Sequence, residues 1–139
     1  MVPMSVEEIA KAVDGRLVAG DGSAIEATET VTDSRQAGSG AVFVAIKGER
    51  VDGHDFVDKV ADQGAAAAIV DHEVACTTMP QIVVEDTVAA LGLLAKHNID
   101  RRRQLPGAFD LIGLTGSVGK TTTKDLLSAL LSTLGPTVA

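Results

Sequence analysis

Apolar positions in this chain fall into short runs separated by turn residues, and the runs switch between helical and strand periodicity. Ile9, Ala10, Ala12 and Val13 recur at helical spacing behind Ser5 and Glu8, a capping-box pair, and Gly15 stands where a left-handed residue closes a helix. Residues 16–19 and 24–27 flank Gly20-Asp21-Gly22-Ser23, a hairpin-type turn signal. Residues 29–32 read as a strand entering the bend Asp33-Ser34-Arg35. The continuous apolar run 41–46, bounded by Gly38, Gly40 and Gly48, has the pattern of a strand buried on both faces and is the expected centre of the sheet. Phe56, Val57, Val60 and Ala61 predict a helix closed by Gly64, and residues 66–70 a further strand. After a loop holding His72, Cys76 and Pro80, the run 82–84 leads to Asp86, a cap for a helix through about His97 with Val88, Leu91, Leu94 and Ala95 on one face. Gln104-Leu105-Pro106-Gly107 is punctuation, which places a domain boundary near residue 107.

Beyond that boundary the chemistry becomes explicit. The apolar positions Leu111, Ile112 and Leu114 suit a buried strand, Thr115 to Thr121 reads Thr-Gly-Ser-Val-Gly-Lys-Thr, and a helical pattern follows from about Lys120 to 133. Strand, glycine loop, helix N-terminus is the order of a phosphate-binding loop. Bare amides at Gly116 and Gly119 can converge on phosphate oxygens, Lys120 can neutralise the β and γ phosphates, and the Thr121 hydroxyl can join the shell of a Mg²⁺ ion. The general pattern wants glycine at 114, where the chain has Leu114 with Gly113 one residue early. What remains is Gly-x-x-Gly-Lys-Thr-Thr, Gly116 to Thr122, supported by its strand and helix context. The competing reading is an ordinary strand-to-helix turn with a solvated lysine.

A nucleotide-binding sheet needs several β-α units of about 30 residues each. Residues 122–139 supply one helix, a stop at Gly135-Pro136 and the start of a second strand at 137–139. The fold class is therefore α/β: a small mixed sheet with helices over 1–107, then the first β-α unit of a truncated P-loop ATPase domain over 108–139. The chain is expected to be a fragment with no ATP turnover of its own.

The formal charge of -7 argues against nucleic acid or anionic membrane as partner, and 2% aromatic content without Trp or Tyr leaves no base-stacking platform. The lone Cys76 excludes an internal disulfide and reads as an inert buried thiol. No apolar run approaches the ~18 residues of a membrane span, and acids stand where a signal peptide needs an apolar core, so the expectation is a cytoplasmic protein.

Two further stretches are candidate ligand corners. Asp33-Ser34-Arg35 is either a turn with a solvated arginine or a binding corner in which Arg35 offers a planar donor fork. The polar loop from Lys47 to His54 follows the buried strand, where ligands sit in open α/β sheets. His54 either belongs to that loop's chemistry or simply starts the next helix. His72 and His97 read as surface residues, the three histidines lack metal spacing, and Arg101-Arg102-Arg103 reads as a solvated linker.

Taken in order, Asp33-Ser34-Arg35, the stretch from Gly40 to Gly48, Asp52-Gly53-His54-Asp55-Phe56, Gly64-Ala65-Ala66 and Thr115 to Lys124 resemble the amino-terminal part of the Mur ligases. These are the ATP-dependent amide-forming enzymes of peptidoglycan precursor synthesis. Ser117 and Val118, in a loop form that ends at Lys124, together with the stretch from Lys47 to Phe56, make the chain more similar to members that add D-alanyl-D-alanine to UDP-N-acetylmuramoyl-tripeptide than to those acting one step earlier. The resemblance implies that residues 1–107 bind the UDP precursor, with Thr32, Ser34, Arg35, Glu49, Arg50 and Val51 as its contacts. It implies that Gly116, Ser117, Val118, Gly119, Lys120, Thr121 and Thr122 hold ATP, with Lys120 and Thr121 serving catalysis and Thr121 the Mg²⁺. The whole enzyme would phosphorylate the precursor carboxylate and let the amine of D-alanyl-D-alanine attack the acyl phosphate. The alternatives are a member acting on the UDP-N-acetylmuramoyl-dipeptide, a non-catalytic nucleotide-sensing module, and a folylpolyglutamate synthase-like enzyme, in which the first 107 residues would have no role.

Overall fold

The computed structural model describes residues 1–75 and 78–138, and the reading of Cys76 lies outside them. The chain divides into two compact units, Met1–Pro106 and Gly107–Ala139.

In the first unit, five strands run in the order β2 (Arg16–Val18), β7 (Gln81–Val83), β6 (Ala67–Val70), β5 (Ala41–Val44), β4 (Glu29–Val31). The last four are parallel and β2 joins β7 antiparallel, so the sheet is mixed. A small second sheet pairs β1 (Met4–Ser5) with β3 (Glu26–Ala27). Helices cover both faces of the main sheet, and the strand residues divide by the two-residue period. Val42, Val44, Ala67, Ile69 and Ile82 pack towards α1 (Val6–Ala12) and α3 (Thr87–Gln104). Phe43, Ala68 and Val70 pack towards Val57 and Val60 of α2 (Val57–Asp62).

Several expectations change on contact with this fold. Residues 16–19 and 24–27 do not form a hairpin: β2 pairs with β7 and β3 with β1, because the segment between them is tied to the start of α1, where the Glu7 N–H donates to Gly22 O at 3.2 Å and the Val6 N–H to Ile25 O at 2.9 Å. The central strand is β6, with β5 one place to its side; both are fully buried, so their patterns look alike in sequence. Ser5 does cap α1, accepting the N–H of Glu8 at 3.1 Å, but the left-handed residue after it is Asp14 (φ 53°) rather than Gly15. Gly15 is needed for space instead, since a Cβ there would lie 2.4 Å from Ile82 Cγ2.

The last helix of this unit runs on to Gln104, past the predicted end at His97, and presents Thr87, Ala90 and Leu94 to the core while Val88 and Ala95 are exposed. The reason lies at its end. Arg101 Nη1 meets Glu8 Oε2 at 2.6 Å and His97 Nε2 meets Glu8 Oε1 at 2.8 Å, so the arginine run is the last turn of a helix fastened to α1 and not a linker. His97 is accordingly half-buried rather than a free surface residue.

The second unit consists of an extended segment, the glycine loop and α4 (Lys120–Leu131). The predicted strand at 111–114 and the start of one at 137–138 carry no strand pairing. A parallel strand exists only through neighbours, and none is available among the described residues. Leu111 and Ile112 are accordingly exposed, as are Leu126 and Leu130 on α4.

Candidate functional site

The four parallel strands end on one edge, and the segments leaving them carry the substrate-site candidates. Thr32 to Arg35 follows β4, Lys47 to His54 follows β5, and Asp71 with His72 follows β6. Ligands of open α/β sheets bind beyond this carboxyl edge.

The corner after β4 is an Asx turn. Asp33 Oδ1 accepts the Arg35 N–H at 2.9 Å, and the Arg35 side chain folds back so that Nη2 lies 2.6 Å from Oδ2 and Nε 3.0 Å from Oδ1. These hydrogen bonds from Arg35 hold the Asp33 carboxyl down at about 2. Gln63, just beyond α2, donates its amide to the carbonyl oxygens of Ser34 and Ala37 at 2.8 and 3.2 Å in the orientation its neighbours require. Thr32 and Arg35 face solvent and Ser34 is half-buried.

The loop after β5 is a small hairpin. Lys47 and Asp52 pair as an antiparallel bridge, the Gly48 N–H donates to Val51 O at 2.9 Å, and Gly53 N–H donates to Ile46 O at 2.9 Å. Glu49, Arg50 and Val51 form its exposed tip. Gly53 closes the base, where a Cβ would lie 2.6 Å from Ile46 N.

The buried histidine at this edge escaped the sequence reading in its connections. His54 is 5% exposed; its Nδ1 lies 2.6 Å from Asp52 Oδ1 and its Nε2 accepts the Asp71 N–H at 3.0 Å. His72 stacks on it, ring centroids 4.4 Å apart and 20° from parallel. Ligand atoms of His54, Asp71 and His72 come within 4.8 Å of one another. A metal must lie in the plane of each imidazole it binds, however, and two stacked rings do not aim lone pairs at one point. The cluster as built is a hydrogen-bond network.

In the second unit the glycine loop has the backbone its glycines allow. Gly116 has φ 152° and Gly119, at the N-cap of α4, has φ 79°. A side chain would meet open space at Gly119, so the conformation rather than crowding demands glycine there. No side chain caps α4, which leaves its first-turn amides pointing out of the helix as an anion site would need. Lys120, Thr121 and Lys124 line a hollow of about 300 Å³ with Ile112 and Leu114. The uncapped amides and Lys120 suit a nucleotide phosphate, and the Thr121 hydroxyl is the group that would hold a Mg²⁺. A second hollow, about 350 Å³, opens at the amino edge of the strands around Gly40, Ala66 and Pro80, and contains none of the predicted substrate contacts.

A family model described as the catalytic domain of the Mur ligase family matches residues 26–99, just over half of the chain. The chain belongs to the Mur ligase family. It is 36% identical over 138 residues to the UDP-N-acetylmuramoyl-tripeptide–D-alanyl-D-alanine ligase of Escherichia coli, covering 99% of this chain and 28% of that protein. A diaminopimelate-adding ligase from Aquifex aeolicus is 38% identical over 74% of the chain and 20% of its own length. Among solved structures, MurF from Acinetobacter baumannii matches with TM-score 0.78 and 40% identity over 96% of this chain and 28% of that one. MurF from Thermotoga maritima, solved in complex with ADP, matches with TM-score 0.58 and 37% identity over 76% of this chain and 23% of that one. The chain thus spans between 20 and 28% of the length of these Mur ligases. No helix among the described residues is long and apolar enough to cross a membrane.

Proposed function

We propose that these residues form the UDP-precursor-binding unit (1–107) and the phosphate loop (within 108–139) of an ATP-dependent ligase that joins D-alanyl-D-alanine to UDP-N-acetylmuramoyl-tripeptide in the cytoplasm. The observation that carries this reading is the joint presence of two parts: a carboxyl sheet edge bearing the Asp33-Ser34-Arg35 corner and the Glu49–Val51 tip, and a Gly116–Thr122 loop with left-handed glycines before an uncapped helix. The tripeptide ligase is favoured over the dipeptide ligase by the 0.78 TM-score match to MurF along 96% of the chain.

In this reading Thr32, Ser34, Arg35 and the loop tip hold the uridine diphosphate part of the precursor. The loop amides and Lys120 orient and neutralise a triphosphate, and Thr121 holds Mg²⁺. ATP supplies the phosphoryl group that activates the precursor carboxylate; positioning and charge neutralisation are what the protein contributes. Residues 1–139 carry no further catalytic group in this scheme, so the chain alone binds without turning over.

Calorimetry tests the proposal. UDP-N-acetylmuramoyl-tripeptide is expected to bind the chain, with Arg35→Ala weakening it about tenfold, the worth of one charged hydrogen bond. Binding of ATP with Mg²⁺ but not of the precursor would favour a nucleotide-sensing module, and ATP hydrolysis by the chain would contradict the scheme.

A further inference from the structure

We infer that His54 is a positioning residue for the precursor-binding loop: its buried imidazole fastens the Lys47–Asp52 hairpin to the end of β6. This rests on the reading that Glu49, Arg50 and Val51 contact the precursor.

The exposed tip of the hairpin has little packing of its own. Its internal ties are the Lys47–Asp52 bridge and the Gly48 N–H to Val51 O bond. Such a loop orders only if something outside it fixes its base, and His54 occupies that place. With the ring proton on Nδ1, the imidazole donates to Asp52 Oδ1 at 2.6 Å while its Nε2 accepts the Asp71 N–H at 3.0 Å. Asp52 Oδ1 also accepts the His54 N–H at 3.0 Å, and these two bonds, backbone first, hold its carboxyl below the ordinary range. One side chain therefore joins the last residue of the hairpin to the first residue after the neighbouring strand. Burial makes the arrangement directional, because a buried ring nitrogen left without a partner is costly. His72 stacks on the ring, and the Asp71 carboxylate lies 3.1 Å from Nε2. Gly53, beside it, lets the chain lie directly against Ile46, where a Cβ would come within 2.6 Å of the backbone nitrogen.

The test compares the wild-type chain with His54→Phe, which keeps the ring volume but neither hydrogen bond, and His54→Gln, which keeps one acceptor and one donor. His54→Phe is expected to bind UDP-N-acetylmuramoyl-tripeptide about tenfold more weakly and to speed amide exchange at Gly48 and Gly53, leaving exchange at Ile69 in β6 unchanged; His54→Gln is expected to recover most of both losses. Unchanged Gly48 exchange and affinity in His54→Phe would overturn the inference. Equal exchange losses throughout the sheet, with no recovery in His54→Gln, would also overturn it by showing a general core role. Failure of the wild-type chain to bind the precursor would contradict the function reading instead, and the Gly48 exchange difference would still report whether His54 anchors the hairpin.

Discussion

Arg35 folds back on Asp33, two residues before it, with Nη2 2.6 Å from Oδ2, so the corner after β4 is held by its own ion pair before any ligand arrives. Both groups are substantially exposed, and salt weakens such a pair. The fixed geometry is the consequence that matters for binding, because it presents Ser34 and the guanidinium in one conformation.

The pH dependence of that corner follows from Asp33. Its carboxyl is held at about 2 against an ordinary 3.8, so the corner's ordering is complete above the ordinary value and is lost as pH falls through the folded one. A carbon NMR titration of the Asp33 carboxyl is expected to show a midpoint near 2 in the wild type and a midpoint that rises towards the ordinary value but stays below it in Arg35→Ala, where the backbone N–H of residue 35 still donates to Oδ1.

Glu8 carries the fastening between α1 and α3. His97 first, then Arg101, hold its carboxyl below the ordinary 4.5, so its contribution is present above that value and is lost as pH falls through the lowered one. Glu8→Gln is expected to cost about 1 kcal/mol, modest because all three side chains remain about one-third exposed, and to lower the melting temperature by about 4–8 °C. A thermal melt at neutral pH checks this, and the difference from wild type should shrink in acid.

Two glycines are expected to resist substitution for reasons of space alone. Gly15→Ala drives a methyl against Ile82 at 2.4 Å, and Gly53→Ala drives one against the Ile46 backbone nitrogen at 2.6 Å. Overpacking of this kind costs about 1–3 kcal/mol. The three atoms nearest Gly53 are all backbone, which no change of rotamer relieves, so chemical denaturation should show the larger loss for Gly53→Ala.

How much of this was legible in the sequence varies with how local the cause is. The caps at Ser5 and Asp86, the closing turn at Gly64 and the buried runs of β5 and β6 depend on neighbours in sequence and could be read there. The partners of β2 and β3 could not, because antiparallel pairing across the chain depends on which apolar face is free. The true length of α3 was hidden for the same reason: Glu8 stabilises its last turns from 93 residues away. At the site, the Asp33-Ser34-Arg35 bend was visible, but nothing near His54 in sequence reveals that its second partner is the Asp71 amide. The apolar strand at 111–114 shows the opposite failure, a local pattern without the neighbours that would make it a strand.

Lys120 offers a clean separation of the two units. Lys120→Ala is expected to abolish the calorimetric signal with ATP and Mg²⁺ while leaving precursor binding within about twofold, since the proposed precursor contacts lie wholly in Met1–Pro106.

The most direct measurement is an amide-shift map of the labelled chain with each ligand in turn. The account predicts that UDP-N-acetylmuramoyl-tripeptide moves the amides of Thr32, Ser34, Arg35 and Glu49 to Val51, and that ATP with Mg²⁺ moves those of Gly116 to Thr122. Shifts from the precursor confined to the hollow around Gly40 and Pro80, or none at all, would contradict it.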